Sequence, residues 1–295
     1  MSVSRRSVLA SAALAAMGTA VGTAVGTAVG AALPVSEAQA RTPAPIALQM
    51  WSLHEQAEKD LLGVLGKVAE IGYVAIESYE LYGHAPKVVK ARLNALGLGL
   101  CSSHAPFPSG PDATEILDQQ AELGARTLVW SLEPEEFDSV DAIKRGAERI
   151  NQAVVNAARY GMRIGYHNHF AEFREVFHGR KAYDILLREL DPRVVLELDT
   201  YWAKVGGVDP AEVAASLGRR LEFIHIKDGP AKGMDDYMVP YGTGVIDVPG
   251  VVRANPAVKW NIVEMDRSHH DMFWLLRDCY DYLVSRGLAT GRRKI

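Results

Sequence analysis

Four side chains able to bind a metal ion or move a proton stand at the C-terminal ends of four successive apolar runs in this 295-residue chain: His167 in IGYHNH, Asp199 in VVLELD, His225 in EFIHIK and Glu264 in WNIVEMD. Mixed nitrogen and oxygen donors suit manganese, zinc, cobalt or iron(II) better than calcium. The set therefore predicts one divalent ion of that group. His167 is open to a second reading as a general base, because imidazole titrates near ~6.5. Side chains two apart on a strand share a face, so His167 and His169, Glu197 and Asp199, His225 and Lys227, and Glu264 and Asp266 point together. The catalytic candidates are His167, His169, Lys227 and Glu264, with Lys227 placed to stabilise an oxyanion or protonate a leaving oxygen. Glu77 and His104 close two earlier runs and are candidates for binding substrate. So are Trp51, Trp130, Tyr201 and Trp202 for stacking on an apolar face, and His54 and Arg267 for polar contacts. Glu197 lies deeper than Asp199 and needs a partner to remain ionised there. His269 and His270 are expected to begin the last helix, in solvent.

These residues need elements to hold them. Short β-branched runs at 46–51, 73–78, 98–103, 127–131, 163–168, 194–199, 222–227 and 260–265 read as strands. Helical patterns fall at 60–71, 85–96, 113–123, 140–160, 181–190, 210–217 and 270–286. Strict alternation implies parallel strands with right-handed crossovers, and eight units in one domain imply closure into a (β/α)8 barrel. Barrel active sites collect residues from the C-terminal ends of different strands, which is where the candidates lie. Gly72, Gly97, Gly124 and Gly161 follow helices where a left-handed C-cap is needed before the next strand. The stretch from Gly229 to Val248 is the longest interruption and is expected to cover the site. Its GTG at 242–244 lacks the strand and helix that would make it a phosphate cradle. Cys101 and Cys279 fall on a strand and a helix far apart in sequence and read as two buried free thiols.

Residues 1–40 read as a signal peptide outside the fold. Ser4-Arg5-Arg6-Ser7-Val8-Leu9 is a twin-arginine signature, a weakly hydrophobic Ala/Gly/Val stretch follows, and Ala38-Gln39-Ala40 offers a cleavage site. Export to the periplasm is expected, leaving 41–295 as the barrel domain, with no membrane association after cleavage. That segment carries 30 basic and 35 acidic residues, which argues against nucleic acid as a partner and leaves a homo-oligomer open.

From Ile46 to Leu288 the chain resembles the sugar phosphate isomerase/epimerase family, the xylose isomerase-like TIM barrels, through LQMWSL, IGYVAIES, CSSHAPF, GYHNHFAEF, LELDTYWAKVGGVDP, FIHIKDG and WNIVEMDRS. The LELDTYW and HIKD segments are the most specific. In metal-binding members of that family a Glu, an Asp, a His and a second Glu from strands five to eight hold one divalent ion, often manganese. Asp199, His225 and Glu264 match the last three, and His167 stands where the first Glu is expected. The resemblance implies a metal-dependent carbohydrate isomerase, epimerase or lyase acting through an enediolate on a sugar or oxidised sugar. An imidazole in place of one carboxylate departs from two-carboxylate epimerisation, and 3-keto-glycosides are the preferred specific substrates. The alternatives are an exported sugar-binding barrel without catalysis and an endonuclease IV-type phosphodiesterase. The latter needs a larger zinc cluster and a basic surface.

Overall fold

The computed structural model describes residues 42–292, so the expected signal at 1–40 lies outside the described residues. Eight parallel strands close into a barrel: β1 (Ile46–Gln49), β2 (Ala75–Ser78), β3 (Gly99–His104), β4 (Thr127–Trp130), β5 (Arg163–His167), β6 (Val195–Asp199), β7 (Leu221–Ile226) and β8 (Trp260–Val263), with β8 hydrogen-bonded back to β1. Each sits within two or three residues of its expected position. Around them run α1 (His54–Ile71), α2 (Pro86–Leu96), α3 (Ala113–Leu123), α4 (Val140–Ala158), α5 (Ala171–Arg174), α6 (Ala182–Glu189), α7 (Thr200–Val205), α8 (Pro210–Ser216), α9 (Val248–Ala254) and α10 (Met272–Ser285). A two-stranded hairpin at Val176–Phe177 and Arg180–Lys181 interrupts the β5–α6 connection.

The barrel is filled from below. Ala47, Ala75, Cys101, Val195, Phe223 and Ile262 form an apolar plug inside it, and a larger apolar layer lies between the strands and the helices. Gly165 joins this level because a Cβ there would come within 2.9 Å of Val129 Cγ2. Two residues further along each strand, on the same face, the filling turns polar: Gln49, Glu77, His167, Glu197, His225 and Glu264 are all buried. Two irregularities in strand register occur at that level, between Ile76 and Glu77 against β3 and between Leu196 and Glu197 against β7. Such bulges re-aim side chains at barrel rims. Both cysteines are buried and free.

Four expectations shift. β1 ends at Gln49, and Trp51 lies in a 3-10 turn at Met50–Leu53 that feeds α1 six residues earlier than expected. The helix after β7, α9, was not expected, although Asp247 caps it through the Gly250 N–H at 3.0 Å and Pro249 stands in its first turn. α10 starts at Met272 rather than His270, because Asp271 accepts from the Trp274 N–H at 2.9 Å and caps it there. His269 and His270 precede it, exposed.

The GTG segment has a definite structural task. The buried Asp228 accepts from the N–H groups of Gly229 (2.9 Å), Gly242 (2.8 Å), Gly244 (3.1 Å) and Ile246 (3.1 Å). A Cβ on Gly244 would lie 2.1 Å from Asp228 Oδ1, so the backbone can wrap the carboxylate only with glycine there. The stretch after β7 is thus tied to its strand end from inside. Replacing Asp228 with alanine strands buried N–H donors and is expected to cost on the order of 3 kcal/mol, read as a lowered midpoint in urea unfolding.

Candidate active site

The polar filling of the barrel forms two levels. In the lower one Glu77 accepts from the Gln49 side-chain amide and the Ser102 hydroxyl, and its Oε1 lies 2.9 Å from His225 Nε2. Glu197 Oε1 is met by His167 Nδ1 at 3.0 Å, His225 Nε2 at 3.0 Å and His104 Nε2 at 3.3 Å. Burial pushes both carboxyls up. For Glu77 burial and the adjacent Glu197 prevail, whereas His225, His104 and His167 together hold Glu197 well below the usual carboxylate range.

In the upper level His225 Nδ1 is 2.8 Å from Glu264 Oε2. Lys227 Nζ lies 2.7 Å from Glu264 Oε2, 3.0 Å from Asp199 Oδ2 and 3.0 Å from Asp266 Oδ1. Burial opposes the ammonium charge, but Asp199, Asp266 and Glu264 overcome it and hold Lys227 well above its ordinary value. Burial also lifts Asp266, to about 6. His169 is pushed down to about 4, first by burial and then by Lys227, so its imidazole is neutral near pH 7.

Two observations test whether these residues suit a divalent ion. Asp199 Oδ1 accepts from the Trp202 N–H at 2.8 Å, while the buried Oδ2 has only the ion pair with Lys227 at 3.0 Å. Both ring nitrogens of His225 face carboxylate oxygens; burial opposes a charge on the ring, but Glu197, Glu264 and Glu77 overcome it and hold His225 well above its ordinary value. Asp199, His225 and Glu264, whose donor atoms lie within 4.8 Å of one another, thus surround a place that favours positive charge, and a divalent cation there would take over the role of the imidazole proton. His167 Nε2 is 3.9 Å from Asp199 Oδ2 and borders the same space. The donor set fits an ion of the manganese or zinc type.

Above these groups opens a cavity of about 390 Å³, lined among others by Trp51, His104, Trp130, His167, His169, Trp202, Lys227, Glu264, Asp266 and Arg267. Most of the residues expected at the mouth are therefore present. Glu77 is not among them: it is fully buried under the histidines, because strand parity points it inward two residues after Ala75, the register shift in β3 brings Ser102 opposite it, and Gln49, Ser102 and His225 engage it. Tyr201 is also buried, and its hydroxyl donates to Asp236 at 2.9 Å and accepts from the Ala231 N–H at 2.9 Å. It ties down the 229–248 stretch instead of stacking on a ligand. His54 stacks on Trp51 at 4.2 Å, with Nδ1 2.7 Å from the Trp51 carbonyl, and so orients that indole from behind.

Asn168 and Glu172 escaped the reading of the sequence. Asn168 Oδ1 accepts from the Asp199 N–H at 3.0 Å and its amide donates to the Asp199 carbonyl at 3.2 Å, locking the ends of β5 and β6 together. Glu172 Oε1 accepts from the Tyr166 hydroxyl at 2.7 Å and the His169 N–H at 2.9 Å, fixing the backbone of His169. The H-x-x-E spacing was the available signal, as in a capping interaction.

Burial raises the Glu172 carboxyl to about 7, above the ~4.3 of an unfolded glutamate. Between those values the folded state keeps a proton that the unfolded state has lost, so wild-type stability falls as pH rises through that window. Glu172→Gln keeps the acceptor oxygen without the charge. It should gain on the wild type by up to about 3 kcal/mol between pH ~5 and ~8, read from urea unfolding at each pH.

Residues 65–261 match the family described as the xylose isomerase-like TIM barrel. An inosose dehydratase of Geobacillus kaustophilus is 27% identical over 197 residues, 56% of this chain and 61% of that protein, so less than two thirds of the relative's length is spanned. A sugar phosphate isomerase/epimerase from Parabacteroides distasonis has a similar structure, with a TM-score of 0.71, 24% identity and coverage of 88% of this chain and 100% of that one. The IOLI protein with a bound zinc atom superposes at a TM-score of 0.65 with 17% identity, over 82% of this chain and 98% of that one. At such identities the structural likeness speaks for the fold. Together with the closed eight-stranded barrel, the family match establishes that the chain belongs to the xylose isomerase-like TIM barrel family.

Proposed function

We propose that this chain is a divalent-metal-dependent carbohydrate isomerase, epimerase or lyase that removes a proton beside a carbonyl, with 3-keto-glycosides as preferred substrates. The observation that carries the reading is the convergence of Asp199, His225 and Glu264, with His167 bordering them at 3.9 Å from Asp199 Oδ2, beside a buried Lys227, at the floor of a cavity walled by Trp51, Trp130 and Trp202. The relatives named as inosose dehydratase, probable 3-DHS dehydratase and L-ribulose 3-epimerase support elimination and epimerisation as the reaction classes. Manganese is the first choice of ion, with zinc, cobalt or iron(II) as alternatives, and the zinc in the IOLI structure supports a divalent metal.

His167, Asp199, His225 and Glu264 would hold the ion, whose chemistry there is Lewis-acid polarisation of a substrate carbonyl. Trp51 and Trp202 offer apolar faces to a sugar ring, and His104 and Arg267 reach its hydroxyls. The neutral His169 accepts the proton from the carbon next to the carbonyl, and the electron pair moves onto the carbonyl oxygen. Lys227 donates a hydrogen bond to the oxyanion of the resulting enediolate. In a 3-keto-glycoside the abstracted proton is on C2. The pair then returns to form the C1–C2 double bond while the C1–O bond breaks, and Lys227 supplies the proton to the departing oxygen. Return of a proton to carbon from the opposite face would instead give epimerisation, with Glu264 as the candidate carrier once it has taken up that proton. Residues 1–40 are read as a twin-arginine signal and the periplasm as the working compartment, supported by Arg5-Arg6 and the Ala38-Gln39-Ala40 site.

Metal analysis of the purified protein should find one ion per chain, lost in Asp199→Ala and His225→Ala. Incubation with 3-keto-glycosides in D₂O should give metal-dependent deuterium uptake beside the carbonyl. Lys227→Met should keep the ion and lose about 10²–10³ in turnover, as when a preorganised oxyanion donor is removed. Metal without deuterium exchange would point to the sugar-binding barrel, and absence of metal from the wild type would remove the basis of the reading.

A further inference from the structure

Glu197 has no place in the chemistry above, yet one of its oxygens gathers three histidines. It is fully buried, and a single oxygen, Oε1, meets three imidazole nitrogens at 3.0 to 3.3 Å. We propose that Glu197 is the positioning residue of the metal centre: its one oxygen selects the tautomers of both His167 and His225, so that each presents its opposite nitrogen to the ion. The inference rests on the metal reading above.

A carboxylate oxygen only accepts hydrogen bonds, so every nitrogen facing it must carry a hydrogen. His167 faces Glu197 through Nδ1, which leaves the lone pair on Nε2, the nitrogen bordering Asp199 Oδ2 at 3.9 Å. His225 faces Glu197 through Nε2, which commits that nitrogen to a hydrogen and leaves Nδ1, 2.8 Å from Glu264 Oε2, as the one that gives up its hydrogen when an ion binds beside Glu264. The two rings thus enter the site by opposite nitrogens and need opposite tautomers, and one oxygen imposes both. Glu77 reinforces His225 Nε2 at 2.9 Å but makes no recorded contact with His167, so Glu197 is the group common to the two. Its own aim is set by the backbone. The register shift after Leu196 pairs Glu197 with Phe223 instead of Glu222, and on the other side it pairs with His167. The E-x-D of LELD then divides the labour on one strand face, Glu197 orienting ligands and Asp199 serving as one.

The test combines two measurements on the protein: zinc affinity by competition with a chelating dye, and long-range ¹H–¹⁵N spectra of histidine side chains, which distinguish Nδ1–H from Nε2–H rings. The wild type should show His167 as Nδ1–H and His225 protonated on Nε2, with zinc taking the bare Nε2 of His167 and displacing the hydrogen from Nδ1 of His225. Glu197→Gln, whose amide offers donors where acceptors are needed, should weaken zinc about 10–100-fold and shift at least one of the two rings. Glu197→Asp keeps the charge but withdraws the oxygen, and should resemble the glutamine variant if orientation matters and the wild type if only charge does. An Nε2–H form of His167 in the wild type, an aspartate variant with wild-type affinity, or two zinc ions per chain would each overturn the proposal. A second ion among His104, His167 and His225 would require those nitrogens bare. Should the variants fail to fold, the wild-type spectrum alone decides. Should the wild type bind no zinc, the metal reading falls, while the metal-free spectrum still reports the tautomers.

Discussion

A closed barrel of eight strands has room inside only for side chains, and this one spends that room on carboxylates. Glu77, Glu197, Asp199 and Glu264 all lie buried within it, where an unpaired charge is far costlier than in water. Every neighbouring feature answers that cost. Gln49 and Ser102 engage Glu77, three imidazoles surround Glu197, and the Lys227 ammonium stands between Asp199, Glu264 and Asp266. Breaking one member of such a network is expensive because the remainder is left unpaired. Lys227 and His225, both held above their ordinary values by these acids, carry the compensating charge, and a cluster that favours positive charge at the imidazole between Asp199 and Glu264 is the physical argument for a divalent cation there.

The same arithmetic gives meaning to His167. A glutamate at the end of β5 would add another negative charge to a cavity already rich in them. The imidazole contributes a donor atom to the upper level and a hydrogen to Glu197 below, so it serves both levels without adding charge. What distinguishes this barrel from the pattern implied by its family is therefore a shift from carboxylate to imidazole at one strand end, compensated by a carboxylate beneath it.

Much of this was legible in the sequence because it depends on periods of two and on alternation. The eight strands, the pairing of His225 with Lys227 and of Glu197 with Asp199 on common faces, and the gathering of the four candidate ligands follow from strand parity and from closure. What escaped depends on contacts between residues distant in sequence. No local pattern marks the register shift that brings Ser102 to Glu77 and seals it beneath the histidines, or the hydroxyl of Tyr201 reaching Asp236. Asn168 and Glu172 were hidden for another reason: the two histidines beside them drew attention to side-chain chemistry, while their own partners are largely backbone groups. The helix at Val248–Ala254 was the avoidable omission, since Asp247 and Pro249 announce it.

Asp228 directly follows Lys227, and its carboxylate gathers the backbone of residues 229, 242, 244 and 246. The rim above the cavity therefore has two parts of different character. Residues 242–246 are fastened to the end of β7, whereas the outer turn carrying the exposed Met234 and Tyr237 lies beyond that clasp and is held through Asp236 to the Tyr201 hydroxyl. Lineages of such barrels could exchange the outer turn, in length or composition, without disturbing Lys227. The clasp separates a segment that can vary in length or composition from a strand end that keeps its place.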